Sequence, residues 1–202
     1  MRIGIDFDNT IVSYDALFHK VALEQDVIPP DTPQNKLAVR NHLRKAGKED
    51  VWTEMQGYVY GARMAEAASY PGALDCMRRA AGAGHVLAIV SHKTAFPFLG
   101  PKHDLHAAAR SWIEQHLHAD GAPLVPPSQI FFELTKDEKL ARIGTFGCDL
   151  FIDDLPEILS APAFPPGTRR ILFDPEAGHQ GCPLPINMVC RSWPEIETLL
   201  TQ

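Results

Sequence analysis

The sequence has few of the features that mark a disulfide-rich, membrane or nucleic-acid-binding protein. Its four cysteines, Cys76, Cys148, Cys182 and Cys190, include no CxxC pair, so we expect reduced thiols and no zinc site. No apolar stretch approaches the roughly 20 residues that a membrane helix needs. A formal net charge of -6 argues against a general nucleic-acid surface, which would be basic.

The remaining composition is that of an ordinary globular protein. The chain has 202 residues, 45% of them hydrophobic, which is enough to bury one good core in one or two domains. The first apolar strand starts at the N-terminus, so we expect no signal peptide. These features predict a cytoplasmic protein that binds a small molecule, without nucleic acid or membrane, and they leave its oligomeric state open.

The first ten residues carry the most informative motif. A short apolar run, residues 3–5, leads into Asp6, Phe7, Asp8, Asn9 and Thr10. Residues two apart on an extended strand point to the same side, so Asp6 and Asp8 emerge together where a parallel sheet binds its ligands. Two neighbouring carboxylates need a cation or a shared proton, and Mg²⁺ prefers oxygen ligands. The alternative is a turn in which the same side chains only cap the strand end.

Two further apolar runs end in polar residues. Residues 148–152 lead into Asp153 and Asp154, and residues 85–90 lead into Ser91-His92-Lys93-Thr94. The stretch 70–84, with Pro near its start and Gly at its end, is typical of a helix. Further strands are predicted at 129–132, 169–173 and 187–190, and a last helix at 193–200. This alternation predicts βα units around a parallel sheet.

A basic segment precedes the strand of Asp153. Lys136 and Lys139 lie just before or within a short helix, and a helical lysine is usually a solvated surface charge. One lysine close to several carboxylates and a phosphate would instead neutralise the cluster. We favour Lys139 for that role because a helix would hold it more rigidly, and Lys136 remains the alternative.

In this order, the four motifs resemble the haloacid dehalogenase-like superfamily of phosphohydrolases, over about residues 1–14 and 70–175. The resemblance implies a Rossmann-like three-layer α/β/α fold with a parallel central sheet and a small helical cap insertion. It places the core at 1–13 and 70–202 and the cap at 14–69. Within the insertion, helices are predicted at 16–25, 34–46 and 50–68, and the alternative to a cap is a helical hairpin that only packs on the core.

The resemblance also implies roles for individual residues. Asp6 corresponds to the nucleophile that becomes an aspartyl-phosphate, and Asp8 corresponds to the general acid and base. Mg²⁺ is expected at Asp6, the backbone carbonyl of Asp8, Asp153 and Asp154. The expected phosphate-binding residues are Thr10, Ser91, His92 and Lys139. Arg63 in the insertion and Lys93 after the second motif are the candidate substrate contacts, since both carry a positive charge.

The implied function is a Mg²⁺-dependent phosphatase acting on a small phosphomonoester, a sugar phosphate or a nucleoside monophosphate. Dehalogenases of the superfamily lack the second aspartate, so Asp8 favours phosphate transfer to water. Two alternatives stay open from the sequence. One is a phosphotransferase that uses the same intermediate, and the other is a binding module that holds phosphate or metal without turnover.

Overall fold

The computed structural model describes residues 1–119, 121–179 and 186–200. The strands are β1 (Arg2–Ile5), β2 (Val12–Ser13), β3 (Ala68–Ser69), β4 (Val86–His92), β5 (His118–Ala119), β6 (Ala122–Pro123), β7 (Ile130–Glu133), β8 (Leu150–Asp153), β9 (Arg169–Phe173) and β10 (Met188–Cys190). The α-helices are α1 (Asp15–Glu24), α2 (Lys36–Lys45), α3 (Glu49–Tyr60), α4 (Ala73–Gly82), α5 (Leu105–His116), α6 (Lys136–Phe146), α7 (Pro156–Leu159) and α8 (Trp193–Leu200). Within these residues, no helix is both long and apolar enough to cross a membrane.

Six strands form a parallel sheet in the order β10-β9-β8-β1-β4-β7. Strand β1 lies between β4 and β8, and Ile5 pairs with Ile89 on one side and Ile152 on the other. Because parallel strands end at the same edge, the residues that follow β1, β4 and β8 are neighbours. The predicted parallel α/β sheet is confirmed.

Helices cover both faces of this sheet, which makes the predicted three layers. Helices α6 and α7 cover one face over a buried cluster that draws on three strands and both helices, including Ala88, Val90, Phe151, Leu172, Ile143 and Leu159. Helices α4 and α8 pack together on the opposite face. There the indole of Trp193 lies 6.0 Å from the ring of Phe173. The central strands β1, β4 and β8 are buried over most of their length, which explains their continuous apolar runs.

The chain divides into two compact units. The sheet unit comprises Met1–Val12, Ser69–Lys93 and the described part of His116–Gln202, and the helical unit comprises Ser13–Ala68 and Thr94–Gln115. The insertion predicted from the sequence covered only 14–69. The structure therefore adds residues 94–115, which follow the second motif, to the helical unit.

Contacts made by residues 94–115 explain this difference. The indole nitrogen of Trp112 donates to the backbone oxygen of Ala67 at 2.8 Å. Gly57 in α3 is packed so closely that a Cβ there would lie 2.6 Å from Pro97. Both partners are far away in the sequence, so no local pattern identifies the segment as part of the helical unit.

The three predicted helices of the insertion are present, but the third is shorter than predicted. Helix α3 ends at Tyr60, and a 3₁₀ turn at Met64–Glu66 follows. Its C-cap, Gly61, lies so close to the side chain of His103 that an added Cβ would clash with it. The backbone leaves the helix at this close approach, which the apolar pattern of 50–68 does not reveal.

The cysteines of the described residues agree with the expectation of reduced thiols. Cys76, Cys148 and Cys190 are buried and unbonded. Burial raises the pKa of Cys76 and of Cys148 to about 12 and that of Cys190 to about 11, so these thiols are unreactive. Cys182 lies outside the described residues.

Candidate active site

The loop after β1 is held by a dense set of backbone bonds. The amide of Asp6 donates to Ile152 in β8, and the amides of Ile11 and Val12 both donate to the oxygen of Phe7. Asn9 has a φ of 59°, a left-handed conformation that asparagine tolerates better than most residues. The loop therefore turns sharply and keeps Asp6 and Asp8 at the carboxyl end of the sheet.

Asp6 is buried, 4% exposed, and its Oδ1 accepts two hydrogen bonds. The hydroxyl of Ser91 donates to it at 2.9 Å, and the ammonium of Lys139 donates at 2.6 Å. Burial raises the pKa of Asp6 to about 7; Lys139 opposes the rise, and the negative charges of Asp153 and Asp8 add to it. The two donors therefore hold the Asp6 side chain in one orientation, while its burial disfavours the ionised form.

Lys139 is the lysine that reaches this carboxylate. It is 1% exposed, and its Nζ lies 2.6 Å from Asp6 Oδ1 and 2.6 Å from Asp153 Oδ2. Burial works to lower its pKa, but Asp153 and Asp6 together raise it above the ordinary value. A capping box of Thr135 and Glu138 starts α6 and sets its first turn. Lys136 is exposed and pairs with Glu157 at 3.2 Å.

Three carboxylates form a candidate metal centre. Asp6, Asp153 and Asp154 each offer an oxygen, and these atoms all lie within 4.8 Å of one another. Asp153 Oδ1 accepts from the amide of Leu155 at 2.9 Å, and its buried Oδ2 lies 2.6 Å from the ammonium of Lys139. The all-oxygen donor set fits a hard divalent cation such as Mg²⁺.

The side chain of Asp8 has a different partner from the other carboxylates. Nζ of Lys93 lies 3.0 Å from Asp8 Oδ1 and 2.8 Å from Asp8 Oδ2. Lys93 is 5% exposed, and Asp8 is half-buried. With every carboxylate ionised, the two lysines leave the site with two negative charges in excess, which one divalent cation would balance.

No protein-family model matches the chain, and no curated protein matches it. Solved structures match over nearly its whole length. A predicted phosphoglycolate phosphatase from Haemophilus somnus is 19% identical, covers 100% of this chain and 97% of its own, and has a TM-score of 0.57. A Bacillus subtilis protein described as a HAD-hydrolase and bound to magnesium is 14% identical, with 100% and 98% covered and a TM-score of 0.57. An L-2-haloacid dehalogenase is 11% identical, with the same coverage and TM-score.

The chain has a haloacid dehalogenase-like fold. Within it, Thr10 lies fully buried beside the acidic cluster, and its hydroxyl donates to Asp154 Oδ1 at 3.4 Å. The indole of Trp193 donates to the backbone oxygen of Thr10 at 3.0 Å. Thr10 thus lies at the site, but its hydroxyl faces a carboxylate. Its predicted contact with phosphate remains a prediction.

His92 does not face the carboxylates of the candidate site. Side chains alternate along a strand, so His92 of β4 points away from the side of Ser91. Its Nε2 lies 3.1 Å from the backbone oxygen of Leu134. This contact gives no support to His92 as a phosphate ligand, and that role stays a prediction.

Arg63, the other predicted substrate contact, lies in the helical unit with its guanidinium already engaged. It bonds both carboxylate oxygens of Glu24 and both of Glu66. It also lies over the ring of Tyr58, 5.7 Å from the ring centroid. These contacts join α1 to the turn after α3, and they favour a structural role.

Two contacts at the site were not predicted from the sequence. The pairing of Lys93 with Asp8 follows from the spacing of two residues that aligned Asp6 with Asp8, since Lys93 stands two residues after Ser91. That signal was present in the sequence. Trp193 supports Thr10 from the far end of the chain, and no local pattern indicates that contact.

Proposed function

We propose that the chain is a phosphatase that hydrolyses a small phosphomonoester through an aspartyl-phosphate on Asp6, with Mg²⁺ as cofactor. The observation that carries the proposal is the second carboxylate, Asp8, two residues after a buried carboxylate that is held by Ser91 and Lys139. A carbon–halogen reaction needs a nucleophile but no acid for an alkoxide leaving group. A phosphate ester needs both.

Each residue has a role in two balanced steps. An Asp6 oxygen attacks phosphorus, the bond from phosphorus to the ester oxygen breaks, and Asp8 gives that oxygen a proton. Water then attacks the acyl-phosphate while Asp8 takes its proton, which releases inorganic phosphate and restores Asp6. Ser91 and Lys139 hold the nucleophile and its charge.

The metal would be held by Asp6, Asp153 and Asp154, the cluster whose oxygens lie within 4.8 Å. The backbone carbonyl of Asp8 is the further ligand that the superfamily resemblance implies. When bound, Mg²⁺ would neutralise charge on the phosphoryl oxygens. This neutralisation would also let Asp6 ionise, against the burial that raises its pKa.

The substrate class follows from the same resemblance, a sugar phosphate or a nucleoside monophosphate. The predicted phosphoglycolate phosphatase among the similar structures supports phosphate chemistry. The second candidate is hydrolysis of a 2-haloacid, which the similar L-2-haloacid dehalogenase supports. Covering of the site by residues 14–69 and the phosphotransferase alternative stay predictions.

A panel of phosphate esters and 2-haloacids, assayed with Mg²⁺ and with excess chelator, tests the proposal. We expect phosphate release that requires the metal and falls by roughly 10⁴-fold or more in Asp6→Asn. Asp8→Asn should lose less with a nitrophenyl ester than with an alkyl ester, because a stable leaving anion needs little protonation.

Asp75→Asn is the matched control, since this exposed aspartate pairs with Arg78 on the surface of α4. It should keep normal activity. Halide release without phosphate release would favour the dehalogenase, and phosphate release that persists in chelator would contradict the metal assignment.

A further inference from the structure

Lys93 is an unusual residue for the end of a buried strand. Its side chain is 4% exposed, although lysine is rarely buried unless it is paired. Burial of a lysine also freezes a long side chain and disfavours its charged form. Such a residue needs a partner that holds the charge.

The backbone of Lys93 does not explain the side chain. Its amide donates to the oxygen of Glu133 at 2.9 Å, which extends the pairing of β4 with β7. Any residue except proline could make that bond. Since the main chain is fixed in this way, the side chain leaves the sheet from a rigid base and on the side of Ser91.

The contact with Asp8 has a specific geometry. The ammonium reaches both oxygens of the carboxylate, at 3.0 and 2.8 Å, so a rotation of the Asp8 side chain would break at least one contact. The same ammonium lies 5.8 Å from the ring centroid of Phe7, which is fully buried between Asp6 and Asp8 in the chain. Lys93 therefore contacts two residues of the loop after β1, Phe7 and Asp8.

Lys139 and Lys93 divide the carboxylates between them. Lys139 contacts Asp6 and Asp153, and Lys93 contacts Asp8. A single central lysine would neutralise charge without fixing the second aspartate. The separate lysine restricts where the proton-carrying group can point, and a misplacement of about 1 Å can lower a rate by about 100-fold.

We propose that Lys93 is a positioning residue, whose buried ammonium holds the Asp8 carboxylate in the orientation that its proton transfers require. The proposal rests on the proposed phosphatase function. It differs from the sequence-based prediction of Lys93 as a substrate contact, which stays a prediction.

The test is a double-mutant cycle with a phosphate ester and Mg²⁺. Lys93→Met should lower kcat by about 100-fold and change KM by less than about threefold. If Lys93 acts through Asp8, the variant Asp8→Asn/Lys93→Met should be no slower than Asp8→Asn alone. Lys136→Met, which removes an exposed lysine paired with Glu157, is the matched control and should keep normal kinetics.

Two results in the cycle would overturn the proposal. A raised KM with normal kcat would make Lys93 a substrate ligand. Losses that multiply in the double variant would show that it acts independently of Asp8. If Lys93→Met does not fold, Lys93→Gln, which keeps a shorter uncharged donor, takes its place in the same cycle.

Crystal structures of the variants give a readout that does not need turnover. In Lys93→Met the Asp8 carboxylate should leave its position or occupy two rotamers, and in Lys136→Met it should stay in place. An unmoved Asp8 in Lys93→Met would reject the positioning role. If the unmodified protein released phosphate from no ester, the proposed function would fail, and these structures would still decide the role of Lys93.

Discussion

Two charged clusters of this protein contain the same chemical groups in opposite environments. In the sheet unit, Lys139 contacts Asp6 and Asp153, and the lysine side chain is 1% exposed. In the helical unit, Lys20 pairs with Glu66, and the lysine side chain is 57% exposed. Water therefore solvates the charges of the second cluster, whereas the charges of the first cluster have lost most of their contact with water.

The pKa values of the two clusters move in opposite directions. Burial raises the pKa of Asp6 to about 7. Hydrogen bonds from Arg63, then from Lys20, lower the pKa of Glu66 to about 2. Partners therefore stabilise the ionised form of both carboxylates, but at Asp6 the effect of burial is larger than that of Lys139. A buried carboxylate with a strongly shifted pKa is typical of a metal-binding or catalytic site.

The largest expected effect is the difference in unfolding free energy between a variant that removes a buried lysine and a variant that removes an exposed one. Lys139→Met leaves two buried carboxylates without their cation, and breaking a buried pair in this way costs about 3–5 kcal/mol. Lys136→Met, at an exposed pair with Glu157, should cost less than about 1 kcal/mol. Urea unfolding of the metal-free protein, followed by circular dichroism, measures both.

Equal losses in the two variants would contradict the comparison. Addition of Mg²⁺ gives a second test of this difference. Relative to the unmodified protein, a bound divalent cation should restore part of the unfolding free energy lost in Lys139→Met and none of that lost in Lys136→Met.

The second prediction concerns pH. A carboxyl group whose folded pKa is raised contributes stability below its unfolded pKa and loses it as pH rises through the folded value. For Asp6 this window extends from about 4 to about 7, so the metal-free protein should become less stable as pH rises across it. Glu66 has a lowered pKa, so its contribution is present above about 4.5 and is lost as pH falls toward about 2.

Thermal unfolding in chelator at constant ionic strength, between pH 5 and 8, measures the Asp6 effect. Asp6→Asn should remove that loss of stability and leave a more stable, inactive protein, while Asp75→Asn should keep the normal slope. An unchanged slope in Asp6→Asn would mean that another group causes it.

Much of the sheet unit was predictable because its signals are local. Apolar runs give β1, β4 and β8, and residues two apart bring Asp6 and Asp8 to one side. The same rule, applied to β4, predicts that Ser91 and Lys93 share a side while His92 does not. The prediction of His92 as a phosphate ligand was based on adjacency in the chain, and strand alternation does not favour it.

The features that the sequence did not predict depend on long-range contacts. Gly61 ends α3 where the backbone meets His103, and Trp112 ties residues 94–115 to the helical unit through Ala67. Trp193 supports Thr10 across most of the chain length. Single-sequence patterns describe which face of an element is apolar, but they do not specify which distant segment covers it.

The smallest effect should follow from Arg63→Ala. The guanidinium is bound by Glu24 and Glu66, so its removal should lower the melting temperature of the protein slightly, and by less than Lys139→Met lowers it. It should leave the ranking of a phosphate-ester panel by kcat/KM unchanged, since the arginine has its own acidic partners. Arg44→Ala, which removes another surface arginine paired with a glutamate, is the matched control. The contrary outcome is a loss of activity in Arg63→Ala, but not in Arg44→Ala, that is selective for esters with a second anionic group. Arg63 would then be a specificity residue. The distinction between a reactive buried cluster and a structural exposed cluster would no longer hold.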